Sequence, residues 1–244
     1  MTAVVEPRRG SRLVPGRTRL VTVAHGTRHA AGNRVAAEIT RRAGERLGVD
    51  SRVSYVELCA PLFADVVASG DEPMVAVPLL LSRGHHVAVD LPAAARGAAG
   101  AITVTPPLGP HPLLARAQSA RLIEAGAAPG DPVVMIAAGS QDARAEEDLR
   151  ASARLLGAVW GTRVRVAVLS GTGPRPEEVL AVGDAVSPYL LAPGHFADRA
   201  RTLALSFGAA VVAEPIGVHP LVVDLVVERA RVGGYTEVPA EARV

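Results

Sequence analysis

Residues 19–33 read RLVTVAHGTRHAAGN: a short, mostly apolar run, a histidine, a glycine, then a helical pattern. His25 closes the run, and Gly26 permits a tight turn that exposes the imidazole. Residues 74–90, MVAVPLLLSRGHHVAVD, have the same form, with His85 and His86 behind an apolar run over 75–81. Strand, turn and helix in this order make the βα unit of a parallel sheet, whose strand carboxyl ends face the crevice where ligands bind.

The alternation continues along the chain. Strands are expected at 19–25, 52–58, 73–81, 101–105, 132–138, 163–169, 186–191 and 209–213. Helical periodicity covers 30–47, 61–69, 111–125, 143–158, 197–206 and 219–232, and the alanine-rich stretch 87–98 reads as helix too. Right-handed βαβ units on a parallel sheet follow from that order. The halves are also related to each other. PPLGPHPLLARAQSARLIE (106–124) resembles EPIGVHPLVVDLVVERARV (214–232), and VPLLLSRGHH (77–86) resembles SPYLLAPGHF (187–196). VAHGTRHAAGNRVAAEI (23–39) matches IAAGSQDARAEEDLRAS (136–152) more weakly, with Ala138 in place of His25. Three matches in one order at nearly constant offset indicate duplication and fusion, joined at the Gly/Pro-rich AGAAPGDP, 125–132. The expected fold class is therefore α/β, with two tandem pseudo-symmetric domains, each a parallel sheet of about four strands flanked by helices. The divisions are a basic tail 1–18, a first domain 19–126 carrying the active site, a duplicated second domain 131–234 and a tail 235–244.

Composition agrees with a buried parallel sheet. Of the 244 residues, 49% are hydrophobic and only 3% aromatic, so the core must be Val, Leu, Ala and Ile. So few aromatics leave no stacking platform for single-stranded nucleic acid. The net charge is +2 and every basic residue is arginine; this suits carboxylate recognition, although a GC-rich genome produces the same bias. The single cysteine, Cys59, excludes an internal disulfide or a cysteine-held cluster within one chain, and reads as a small hydrophobe at a strand end. No apolar run is long enough to span a membrane, and the first 18 residues lack the apolar centre of a signal peptide. A cytoplasmic protein is expected.

Among the polar residues, His25 and His86 at neighbouring strand ends suggest a metal site or an acid–base pair, with His85 beside His86. Glu57, closing RVSYVEL, is unusual because carboxylates are depleted in strands. Two imidazoles and a carboxylate suit a divalent transition metal. His29 reads as a solvated residue at a helix start. His111 and His219 occupy matching positions of GxHPL before a proline and read as helix caps, since the second half keeps this histidine while losing His25. His195 is a possible cleft-lining residue. SGTG, 170–173, lacks a following lysine and is a weak phosphate loop.

VAHGTRHAAGN, YVELCAPLFADVV, VPLLLSRGHHVAVDLP and PPLGPHPLL resemble, in order, the signature segments of the class II chelatases of the CbiX/SirB type. The resemblance is strong over 19–124 and weaker over 132–232, as in the fused form of that family. It implies a sirohydrochlorin chelatase that inserts Fe²⁺, or else Co²⁺, as substrate metal for siroheme or cobalamin synthesis. It maps the metal-handling histidines onto His25 and His86 and the acidic residue onto Glu57. His85 takes a position often filled by an aromatic and, with Arg28 and Arg83, is expected to meet the substrate carboxylates. No permanently bound cofactor, nucleic acid or membrane partner is implied, and the internal duplication implies a monomer. The chain lacks the histidine-rich tail and cysteine cluster of longer members. A non-catalytic metal or tetrapyrrole carrier, or a tetrapyrrole enzyme acting without metal, are the competing expectations.

Overall fold

The computed structural model describes residues 18–84 and 86–234. The tails expected at either end fall outside those residues, apart from Thr18, which is buried at the entry to the first strand. The chain forms two four-stranded, fully parallel sheets. In the first half β1 (Arg19–Ala24), α1 (Ala30–Leu47), β2 (Ser51–Tyr55), α2 (Phe63–Ser69), β3 (Met74–Pro78), α3 (Leu91–Arg96), β4 (Ile102–Val104) and α4 (Pro112–Glu124) follow in order. The second half repeats them as β5 (Val133–Ala137), α5 (Ala143–Trp160), β6 (Val164–Val168), α6 (Pro176–Val179), β7 (Ala185–Tyr189), α7 (His195–Ser206), β8 (Val211–Val212) and α8 (Pro220–Val232). The strand orders are β2-β1-β3-β4 and β6-β5-β7-β8.

The strands are shorter than the apolar runs that announce them. The run at 73–81 pairs only as far as Pro78, and 209–213 contributes two paired residues. Residues 87–98 are not one helix: His86–Asp90 winds as a π-helical turn and the α-helix begins at Leu91. Pro92 lies in that first α-helical turn, where its missing N–H costs nothing. The single-turn α6 carries too little periodicity to be legible.

Each central strand, β1 and β3 in the first sheet and β5 and β7 in the second, has two buried faces. On β1, Leu20 and Ala24 turn toward α1, where Ala36, Ile39, Ala43 and Leu47 receive them. Val21 and Val23 turn the other way, onto Phe63, Val66 and Val67 of α2 and Leu91 of α3. The second half has the same outer core, with Val134, Ile136 and Val186 against Ala200 and Ala204 of α7.

The inner faces share one core. The last helix of each half crosses to the other: α4 packs on α5 and β7, and α8 packs on α1 and β3. A single cluster accordingly contains Leu20, Val75 and Val77 of the first sheet, Met135 and Ala185 of the second, and Leu114, Leu122, Val222 and Val226 of the exchanged helices. The bonds around those helices are reciprocal. Arg121 Nε donates to the Ile216 carbonyl, and Arg229 Nε donates to the Pro107 carbonyl, both at 3.1 Å.

Both exchanged helices start at a capping histidine followed by proline. His111 Nδ1 accepts from the Leu113 N–H at 3.3 Å, and His219 Nδ1 accepts from the Leu221 N–H at 3.2 Å. Only an unprotonated Nδ1 can accept. Burial lowers the pKa of both imidazoles from 6.5, with the neighbouring Arg121 adding to the effect at His219. The unfolded chain therefore takes up protons first as the pH falls, so this stabilisation is present above 6.5 and lost below it. We expect the double variant His111→Asn/His219→Asn, which keeps an acceptor at each cap but does not titrate, to lose less stability than wild type between pH 7.5 and 5.5. Urea unfolding at the two pH values measures the difference.

Candidate functional site

In the order β2-β1-β3-β4 the connection from β1 runs one way to β2 and that from β3 the other way to β4, so the crevice over the carboxyl ends of β1 and β3 is a switch point where ligands bind in open α/β sheets. His25 follows β1, Glu57 lies just past β2, and the 79–84 loop leaves β3 toward His86. The ladder continues beyond the formal end of β2: the Val56 N–H donates to the Ala24 carbonyl at 2.9 Å and the Glu57 N–H to the His25 carbonyl at 3.1 Å. That pairing brings the two side chains together, with His25 Nε2 3.6 Å from Glu57 Oε1 and both about half exposed.

Gly26 makes the approach possible. Its φ is +95°, and a Cβ there would fall 2.0 Å from the Glu57 carbonyl oxygen. Beyond Glu57, Leu58 sits in the left-handed region at φ 68°, a conformation that costs a non-glycine residue about 1 kcal/mol or more. On the other side the loop is held by α1. Asn33 Nδ2 donates to the Thr27 carbonyl at 2.7 Å, and Asn33 Oδ1 accepts from the Thr27 N–H at 3.2 Å. Asn33 stands four residues beyond His29 inside a helical pattern, where its side chain had no visible partner in the sequence.

The ring nitrogens of His25 have different surroundings. Nδ1 lies 3.3 Å from the Gly26 carbonyl, which can only accept, so Nδ1 carries the proton in the neutral ring. Nε2 then presents a lone pair toward a carboxylate that also only accepts. At 3.6 Å these two atoms are not hydrogen-bonded to each other. A proton or a metal cation between them would bridge the two. Two ligands about 2.1 Å from one ion lie about 3.4 Å apart in tetrahedral geometry, so the observed separation could hold a divalent ion with little movement.

Of the other sequence candidates, Arg28 is exposed on the loop after His25. Arg83 is engaged elsewhere: its Nε and Nη2 donate to Asp148 of α5 at 2.7–3.1 Å, and its guanidinium is still partly exposed. The Asp148 carboxylate holds its pKa above the usual arginine value. His86 begins the π-helical turn; its side chain and all of His85 lie outside the described residues. Cys59 is half-buried and packs against the inner core, with its Sγ beside Gly26. His29 is exposed at the start of α1 and makes no side-chain cap bond, and His195 is exposed at the start of α7. Among the described residues no three His, Cys, Asp or Glu side chains form a complete metal cluster, and no helix is long and apolar enough to cross a membrane.

The second half lacks the pair altogether. Its ladder repeats the geometry, with the Leu169 and Ser170 N–H groups donating to the Ala137 and Ala138 carbonyls at 2.9 Å. Gly139 repeats Gly26, at φ +88° and 1.9 Å from the Ser170 carbonyl oxygen to a built Cβ. Ala138 and Ser170 thus stand where His25 and Glu57 stand. The backbone of the crevice is duplicated; its imidazole and carboxylate are not.

Two tandem parallel sheets with one imidazole–carboxylate crevice define a chelatase-like α/β protein. The family model CbiX matches twice, over residues 19–125 and 132–232, and the chain belongs to the CbiX family. No curated protein matches it. Among solved structures it is similar to SirB from Bacillus subtilis with Fe³⁺, at TM-score 0.75 and 24% identity, covering 93% of this chain and 98% of that one. It is also similar to the sirohydrochlorin chelatase SirB from Bacillus subtilis subspecies spizizenii in complex with cobalt, at TM-score 0.70 and 25% identity over 89% and 95% of the two chains. A third is CbiX, described as the terminal enzyme of siroheme biosynthesis in denitrifying bacteria, at TM-score 0.65 and 19% identity over 88% and 98%.

The closeness of the two turns gives a test. Gly26→Ala should move Glu57 away from His25 and weaken Co²⁺ binding, whereas Gly126→Ala carries a comparable left-handed strain (φ +99°) with nothing within 4 Å to clash. Both should lose about 1 kcal/mol or more for the strained conformation, and only Gly26→Ala should lose metal affinity. Thermal unfolding and Co²⁺ titration separate the two effects.

Proposed function

We propose that this chain is a sirohydrochlorin chelatase that inserts a divalent metal, Fe²⁺ in preference to Co²⁺, into sirohydrochlorin. The observation that carries the reading is the His25–Glu57 pair, two acceptors spaced for one cation at the switch point of the first sheet and absent from the second. Membership of the CbiX family and likeness to SirB structures holding iron or cobalt support it.

Insertion replaces two pyrrole N–H protons by one M²⁺ and releases two H⁺. Neutral imidazole is a good Fe²⁺ or Co²⁺ ligand, and with an ordinary pKa near 6.5 it is also a base at neutral pH. His25 Nε2 serves as ligand first and, once the ion has moved into the ring, as proton acceptor. Glu57 holds the ion beside His25 or takes the second proton, and His86 completes the set from the loop after β3. The carboxylates of sirohydrochlorin would meet Arg28 at the rim, with His85 and the exposed part of Arg83 on the other side. Such a protein would work in the cytoplasm, and as a monomer because the internal duplication already pairs two halves in one chain. Siroheme synthesis is the favoured pathway and cobalamin synthesis the alternative.

The test is a paired anaerobic assay with Fe²⁺ and Co²⁺, following loss of the free-base absorption of sirohydrochlorin. His25→Ala, His86→Ala and Glu57→Gln should each lower kcat by about 10²-fold or more, the usual contribution of a positioned acid–base group. Arg28→Ala should raise KM for the tetrapyrrole and leave kcat alone. Wild-type rates in His25→Ala and His86→Ala would sink the assignment of the site. No acceleration by wild type with either metal, alongside retained binding, would make the protein a carrier.

A further inference from the structure

The duplication raises a question about the second half, which has lost its own ligand pair. It reaches the 81–84 loop of the first half, which ends two residues short of His86, at three points. Tyr189, at the end of β7, donates from its hydroxyl to the Leu81 carbonyl at 2.9 Å and accepts there from Ser152 Oγ, also at 2.9 Å. Asp148 on α5 accepts from the Arg83 backbone N–H at 2.6 Å as well as from the guanidinium. Gly84 lies within van der Waals range of Ser140, 3.8 Å from its hydroxyl to a built Cβ. Asp148 and Tyr189 are almost wholly buried, so these bonds are made out of water.

The pseudo-symmetry shows that the contact is specific to this loop. The positions that match Asp148 and Tyr189 in the first half are Val35 and Leu79, and the position that matches Arg83 is Pro193. Among the described residues, the matching 191–194 loop receives no side-chain hydrogen bond from the first half; Gly32 and Gly194 simply pack it against Thr27 and His29. The loop bearing His85 and His86 is held by buried polar groups. The loop bearing His195 and Phe196 is not. Burying a carboxylate and a phenol at an interface is costly unless each is bonded, so two such residues converging on one backbone segment mark a segment whose position matters.

We propose that Asp148 and Tyr189 are positioning residues, which clamp the Leu81–Arg83 backbone from the second half and so set where the chain enters the turn that begins at His86. The inference rests on the reading of His86 as a metal-site residue. The second half is then the outer support of a metal site to which it contributes no ligand.

Co²⁺ alone is the probe, titrated calorimetrically into the full chain, with the visible absorption of the bound ion as a second readout. His86→Ala tests the underlying reading and should abolish most of the affinity. Asp148→Asn and Tyr189→Phe should each weaken Co²⁺ about tenfold or more and alter the spectrum, while the chain stays folded by thermal unfolding. Asp184→Asn is the control: it breaks another buried aspartate–arginine pair, Asp184 with Arg165, at the far end of β7, and should leave affinity and spectrum unchanged. Wild-type Co²⁺ binding in Asp148→Asn and Tyr189→Phe, with His86→Ala impaired, overturns the clamp and leaves the site standing. Wild-type binding in His86→Ala overturns the reading beneath it and the clamp together. Equal weakening in Asp184→Asn assigns the effect to general loosening and also overturns it. Should Asp148→Asn not fold, Tyr189→Phe, which deletes a single hydroxyl, decides the matter.

Discussion

The inner face of each sheet is too wide for the helix its own half lays across it. Four strands about 4.8 Å apart span about 15 Å between the outer two, while one helix is about 10 Å across. The first half covers this face with α1 and the second with α5, and each leaves bare the strip over β3 or β7. The opposite half closes the strip, α8 over β3 and α4 over β7. Everything else in the molecule follows from that exchange. The two halves cannot be separated without exposing Val75, Val77 and Leu79 on one side and Ala185 and Tyr189 on the other, so a half that has lost its chemistry still has to keep its shape.

The duplication therefore acts as a control experiment within one chain. Features that serve the exchange survive in both halves: the capping histidines His111 and His219 and the arginines Arg121 and Arg229 on opposing carbonyls. So do the turn glycines Gly26 and Gly139, which shape the backbone of the crevice. The side chains of the candidate site stand in one half alone. His25 is matched by Ala138, Glu57 by Ser170 and His86 by Phe196. A third group runs the other way, with Asp148 and Tyr189 present in the second half opposite Val35 and Leu79 in the first. These are neither general scaffold nor ligands, and both bond to the one loop that leads to His86.

The strand–helix alternation and the duplication were legible because they rest on local periodicity and on repeated words such as GxHPL. The capping role of His111 and His219 was legible by the same comparison. The ends of the strands were not, because an apolar run continues past the last bond to the neighbouring strand, as Leu80 and Leu81 do after the Leu79 N–H donates to the Val23 carbonyl. The helix exchange leaves no mark on periodicity, since α4 looks the same whichever sheet it covers. The proximity of His25 and Glu57 was half-visible: both stood at strand ends, but only the order β2-β1-β3-β4 makes those ends neighbours. Closeness to His86 along the chain is what singled out Arg83. Spacing along the chain gave no sign that its partner would be Asp148, 65 residues on.

Fusion explains why the asymmetry could arise. Two identical chains pairing through the same surfaces must carry the same residue at both ends of the two-fold. A buried aspartate useful beside one loop would then also lie beside the other, where Pro193 offers it neither an N–H nor a guanidinium. Joined in one chain, the halves are free to differ, and each position answers only to its own surroundings. In the second half Ala138 and Ser170 stand where His25 and Glu57 stand in the first, and the buried polar groups Asp148 and Tyr189 bond across to the loop that leads to His86.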